Sequence, residues 1–164
     1  SMAARRVSIV MTPGISALQA AAARSGAILG HDFCTISLSD LLTPWAAIES
    51  RLHAAGAGDF VIAFYNPVSR RRRTQLAVAR EILLGYRGSN TPVLLASNLG
   101  RPEEILKYRT LGTLQVDEVD MLTVVIVGAR SSRLLDLGRG KSIYTPRGYK
   151  NKNNSLKYES NVKW

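Results

Sequence analysis

A chain of 164 residues, 46% of them hydrophobic and 21% charged, is long enough to bury a core and too apolar to be disordered throughout. Its single cysteine, Cys34, excludes an internal disulfide framework, and with only His31 and His53 no zinc cluster of the usual spacing can be assembled, the pattern of a cytoplasmic protein. A formal net charge of +10 favours an anionic partner without choosing among nucleic acid, membrane surface and polycarboxylate.

Short β-branched runs alternate with helical patterns, which predicts an α/β domain with a mixed, largely parallel five-stranded sheet flanked by helices. In chain order, strands are expected at 7–11, 33–37, 59–65, 92–97 and 122–128, and helices at 17–25, 44–55, 72–86 and 102–108. Ser16 is placed to cap the first helix, and Thr43 to cap a second that opens with Pro44. The runs Phe60-Val61-Ile62-Ala63-Phe64 and Val124-Val125-Ile126-Val127 lack strict alternation, so both belong in mid-sheet with two covered faces. No apolar run is long enough for a membrane span, and residues 1–6 lack the apolar stretch of a secretory signal. From Lys150 the chain turns to Lys, Asn and Ser; 1–149 is therefore read as one domain and 150–164 as a polar basic tail.

The chemistry is expected where strands end, because open α/β sheets bind ligands beyond the carboxyl ends of their strands. Thr12-Pro13-Gly14-Ile15-Ser16-Ala17 joins a strand to a helix start, where glycine admits a close neighbour and unpaired N–H groups attract anions; the same spacing also suits an ordinary connector. Phe64-Tyr65-Asn66-Pro67 leaves a buried strand and runs into Arg70, Arg71, Arg72 and Arg73 at a helix start, where positive charge opposes the macrodipole. A bound anion would relieve that penalty, although a solvated arginine run is the commoner origin of such clusters. Asn98 precedes Leu99-Gly100 at a third strand end and serves equally as loop chemistry or as a ligand amide. Gly128 closes the last strand and could let a ligand approach its backbone. No nucleophile triad, P-loop or dinucleotide fingerprint is present in the sequence.

The order of several blocks is more specific than any one of them. Pro13-Gly14-Ile15-Ser16-Ala17-Leu18-Gln19, Gly30-His31-Asp32-Phe33, Ser37-Leu38-Ser39-Asp40-Leu41-Leu42-Thr43-Pro44-Trp45, Tyr65-Asn66-Pro67, Thr110-Leu111, Val119-Asp120-Met121 with Val125-Ile126-Val127-Gly128, and Tyr144-Thr145-Pro146-Arg147-Gly148-Tyr149 together resemble the precorrin-3B C17-methyltransferases. The resemblance runs from about Val7 to Tyr149; Thr12, where the family usually has valine, and Pro102 depart from the pattern.

It implies a class III methyltransferase of the tetrapyrrole methylase type, with two α/β domains, S-adenosylmethionine in the cleft between them, and a homodimer. This chain would correspond to the carboxy-terminal domain, the amino-terminal part of the pattern being absent from the sequence. By the same resemblance Pro13, Gly14, Ser16, Ala17, Phe64, Tyr65, Asn66, Asn98, Ile126, Val127 and Gly128 would contact the cofactor. Arg70, Arg71, Arg72, Arg73 and Arg147 are the candidates for holding the acetate and propionate groups of the substrate, precorrin-3B. The implied reaction is methylation of C17 with contraction of the macrocycle in cobalamin biosynthesis. It needs neither a metal nor a covalent nucleophile for the methyl step, and no nucleic acid or membrane. Two competing readings are a non-catalytic truncated domain and a basic nucleic-acid module, the latter resting on charge alone.

Overall fold

The computed structural model of the chain describes residues 8–138 and 140–147. Three helices and seven strands occur among them: α1 (Ala17–Ser25), β1 (Phe33–Ser37), α2 (Trp45–Ala57), β2 (Val61–Tyr65), α3 (Gln75–Leu84), β3 (Pro92–Ser97), β4 (Ile105–Thr110), β5 (Thr123–Val127), β6 (Arg133–Asp136) and β7 (Lys141–Tyr144). The first five strands form one sheet in the order β1-β2-β5-β3-β4, and β6 and β7 form a separate hairpin.

The sheet is mixed and five-stranded as the sequence predicts, but it is not largely parallel. Only β1 and β2 pair in parallel; β2 with β5, β5 with β3 and β3 with β4 are antiparallel. Long helical crossovers link β1 to its parallel neighbour β2, and β2 to β3, which runs in the same direction on the far side of β5. The short 98–104 connection turns β4 back antiparallel to β3, and after two short 3₁₀ turns, Leu111–Thr113 and Val116–Glu118, β5 runs in the same direction as β4 and enters the gap between β2 and β3 antiparallel to both. The carboxyl ends of β1, β2 and β3 therefore share one edge of the sheet with the amino ends of β4 and β5. We call this the exit edge, and the opposite one the entry edge.

Two expected elements are replaced. Residues 8–16 form no strand: Ile9 is 83% and Met11 92% exposed, and no neighbouring strand among the described residues supplies the hydrogen bonds a β-run needs. Val7 lies outside the described residues. The helix expected at 102–108 is a turn, closed by the Glu104 N–H donating to the Arg101 carbonyl, followed by strand β4. Its residues alternate, with Leu106 and Tyr108 packed on one face and Lys107 and Arg109 on the other, a period of two that outweighs the proline and glutamates that suggest a helix start.

Both faces of the sheet are covered. Ile62, Phe64, Val93, Leu95, Val125 and Val127 pack beneath α2 and α3 with Leu52, Leu76 and Leu83. On the other face Val61, Ala63, Leu94, Ala96, Val124 and Ile126 meet Leu18 and Ala21 of α1 and Ile143 of the hairpin. The two uninterrupted apolar runs thus bury alternate residues on opposite sides, as their lack of polar alternation requires.

At the entry edge the interior closes on Arg87, only 3% exposed. Its guanidinium donates to the carbonyls of Phe60, Gly128 and Ala55, tying the start of β2, the end of β5 and the end of α2 together. Burial pushes its pKa below the ordinary guanidinium value, opposed by the nearby Asp59 carboxylate.

Candidate functional site

Three strand exits and two strand entrances converge on the exit edge. After β2, Asn66 adopts a left-handed conformation at φ 49°, and after β3 Asn98 does the same at φ 54°. Asparagine tolerates this region better than other non-glycine residues, and paired occurrences at the ends of two parallel-running strands turn the chain sharply over the edge. The Asn66 amide donates to Ser37 Oγ at 3.1 Å, linking the exits of β1 and β2. The Asn98 backbone N–H donates to the Leu122 carbonyl at 3.2 Å, linking the exit of β3 to the approach of β5.

The 12–17 turn reaches the same edge through α1. The Leu18 N–H donates to Tyr65 Oη at 3.0 Å, and Gln19 Oε1 accepts from the Ser16 N–H at 3.0 Å. Part of the donor set at this helix start is therefore used within the protein. Pro13, Gly14, Ile15 and Ser16 are all exposed, and a methyl group added at Gly14 would meet nothing within 4 Å.

A cavity of about 730 Å³ opens beside Asn66, lined by Ser39, Asp40 and Leu41 from the loop after β1, by residues 68–75 from the loop after β2, and by Met121. Leu41, Leu42, Met121 and Leu122 are exposed along this edge, Leu42 at 93%. Beside them Asp120 Oδ1 accepts from the Leu122 N–H at 2.9 Å and from Thr123 Oγ1 at 2.6 Å, and Thr123 Oγ1 lies 2.7 Å from Ser97 Oγ. This Asp120-Met121-Leu122-Thr123 segment is the part of the edge that sequence reasoning passed over. Its signal is the Val119-Asp120-Met121 block, while the glycine that ends the strand and the family resemblance both point to the far end of β5.

Other expected site residues lie elsewhere. Ile126, Val127 and Gly128 end β5 at the entry edge, across the sheet from Asn66, and their side chains or backbone are buried. Gly128 is a glycine because a Cβ there would stand 2.6 Å from Ser132 Cβ and 3.1 Å from the Pro92 carbonyl oxygen, so protein atoms fill the space a ligand would need. Phe64 is 1% exposed and belongs to the core under α2 and α3. Arg147 donates to the Gly30 carbonyl and lines a separate hollow with His31, Asp32, Phe33 and Phe60 at the entry edge. The structure thus brings Pro13, Gly14, Ser16, Ala17, Tyr65, Asn66, Asn98 and Arg70 to Arg73 to one edge, and leaves Phe64, Ile126, Val127, Gly128 and Arg147 away from it.

The profile of the Tetrapyrrole (Corrin/Porphyrin) Methylases matches residues 1–115. The chain belongs to the tetrapyrrole methylase family. A precorrin-3B C(17)-methyltransferase from Sinorhizobium sp. is 44% identical over 146 residues, covering 88% of this chain and 58% of that protein. A probable cobalt-factor III C(17)-methyltransferase from Salmonella typhimurium is 48% identical over 143 residues, covering 87% of this chain and 58% of its own length. Among solved structures, the methyltransferase CobJ superposes with a TM-score of 0.76 at 42% identity, over 82% of this chain and 54% of the other. The chain thus spans about 58% of the length of these curated relatives. Among the described residues no helix is long and apolar enough to cross a membrane.

Proposed function

We propose that this chain is the carboxy-terminal domain of an S-adenosylmethionine-dependent methyltransferase acting at C17 of precorrin-3B or its cobalt-containing counterpart, in cobalamin biosynthesis in the cytoplasm. The observation that carries the reading is the convergence, in a tetrapyrrole methylase, of the open Gly14 turn, the left-handed Asn66 and Asn98, and the arginine-lined cavity on one edge of the sheet. The relatives' names supply the substrate, and the family's pattern of two domains supplies the expectation that a second α/β domain, and a second copy of the whole, complete the cleft.

The residues at the exit edge fit a nucleoside sulfonium. Gly14 leaves room for close approach, the side-chain oxygens of Asn66 and Asn98 are acceptors at two strand ends, and exposed Met121 and Leu122 offer apolar surface to a flat base. Bound there, the cofactor would supply an electrophilic methyl group, leaving as S-adenosylhomocysteine when the macrocycle carbon takes it. The work left to this chain is to orient and to exclude water: Asn66 and Asn98 fix the two turns, and Tyr65 pins the start of α1 against β2 so that the 13–17 turn holds its place. No covalent catalytic side chain is required, because both reacting groups are already activated.

The test is calorimetric titration of the chain with S-adenosylhomocysteine. Saturable one-site binding is expected, weakened by about tenfold or more when Asn66 and Asn98 are both replaced by alanine, as for loss of two ligand hydrogen bonds. Binding absent from the chain but restored when the remainder of the relatives' length is supplied would make this half an incomplete domain. Binding absent in both cases would overturn the reading.

A further inference from the structure

The four consecutive arginines at the exit edge do not share one role. Between Asn66 and α3 the chain forms a closed loop: the Ser69 N–H donates to the Arg72 carbonyl at 2.8 Å, and the Arg72 N–H returns to the Ser69 carbonyl at 3.3 Å. Arg72 then folds inward, its side chain only 11% exposed. One terminal nitrogen donates to the Asn66 carbonyl at 3.0 Å, and the other approaches Asp40 Oδ1 at 3.5 Å, while Asp40 Oδ2 accepts from Gln75 at 3.0 Å. Arg72 Nε is buried with no hydrogen-bond partner, a cost that a merely solvated arginine would avoid by turning outward. Arg73 is spoken for as well, 3.2 Å from Asp117.

Arg70 and Arg71 sit at the tip of this turn. Both are exposed, both line the 730 Å³ cavity, and neither has a hydrogen-bond or ion-pair partner among the described residues. Two cations are therefore compensated by Asp40 and Asp117, and two adjacent ones are left beside a helix start that already repels positive charge. Planar guanidinium forks match carboxylates, so a ligand bearing several carboxylates on a flat frame satisfies both at once.

We propose that Arg70 and Arg71 are the carboxylate-recognition pair of this site, and that Arg72, braced by Asp40 and the Asn66 carbonyl, is the positioning residue that holds their turn. This rests on the tetrapyrrole reading above and narrows it: Arg72 and Arg73 do not meet the substrate, and Arg147, on the opposite edge, has no part.

The assignment is tested by fluorescence titration with uroporphyrin, a stable macrocycle carrying acetates and propionates, at low and high salt. R70Q/R71Q is expected to bind about tenfold more weakly at low salt, as for the loss of two charge-assisted contacts, and to approach the wild type at high salt. R51Q/R133Q, which removes the same charge from exposed positions off this edge, is expected to stay within about twofold. R72K keeps the charge but loses the fork; it should bind several-fold more weakly with the wild-type salt dependence, whereas a purely structural arginine would lower the melting temperature and leave the folded protein's affinity intact. Wild type that does not bind uroporphyrin, R70Q/R71Q that binds like wild type, or an R51Q/R133Q loss equal to that of R70Q/R71Q each overturns the assignment. The methyl-donor site is judged separately, by the S-adenosylhomocysteine titration of the wild type, so the two ideas fail independently.

Discussion

The two edges of the same sheet are built on opposite principles. At the entry edge the start of β2 and the end of β5 are closed by protein: Arg87 collects three carbonyls, Ser132 Oγ lies 2.7 Å from Thr145 Oγ1, and Gly128 is pressed between Ser132 and Pro92. At the exit edge the termini are turned outward by left-handed asparagines, leucines and methionine stay exposed, and two arginines have no partner among the described residues. Polar groups buried on one side raise stability, and polar groups left available on the other invite a ligand. A glycine at a strand end is read correctly only once its edge is known.

Replacing Arg87 with alanine breaks that contrast most severely. The Phe60 and Gly128 carbonyls would lose the donor that Arg87 supplies, while that of Ala55 keeps the Phe60 N–H, and a loss of about 3 kcal/mol is expected in chemical denaturation. Next, G128A and G14A compare the edges directly. Overpacking against Ser132 should cost G128A about 2 kcal/mol. G14A, with open space around it, should stay within about 0.5 kcal/mol of the wild type while weakening S-adenosylhomocysteine. Equal destabilisation of the two variants would erase the distinction drawn here.

The smallest effect concerns acid. The hydrogen-bonded Arg109 holds the Glu118 carboxyl below the usual glutamate range, so folding is favoured while that group is ionised. Its contribution is present above the unfolded glutamate pKa of about 4.3 and is lost as pH falls through the lower folded value. E118Q should flatten that acid limb in denaturation curves recorded across pH, and a limb unchanged by the substitution would assign it to other carboxylates.

Much of this was legible in the sequence. Helix α1 occupies its expected residues 17–25, β1 and β3 coincide with their expected spans, and the arginine loop and both asparagines stand at strand ends as anticipated. What escaped was direction. Apolar character says that 123–127 is central and says nothing about which way it runs; its direction is set by the hairpin of β3 and β4, which a helix expected at 102–108 conceals. The resemblance counts Ile126, Val127 and Gly128 among the cofactor contacts, whereas the direction of β5 sets them at the entry edge and brings Asp120 to Thr123 to the exit edge. The partners of Arg72 and Arg73 were equally hidden, since Asp40 and Asp117 lie far from them along the chain and are brought close only by the fold.

The placement of β5 also governs how the molecule can be made. Val127 and Ile126 bridge β2 and β3, so during synthesis the earlier strands wait as two separated fragments, each with a raw hydrogen-bonding margin, until residues 123–127 emerge and knit them. The last central strand to be translated is the keystone, and nascent chains stalled before it are the form most exposed to mispairing with one another.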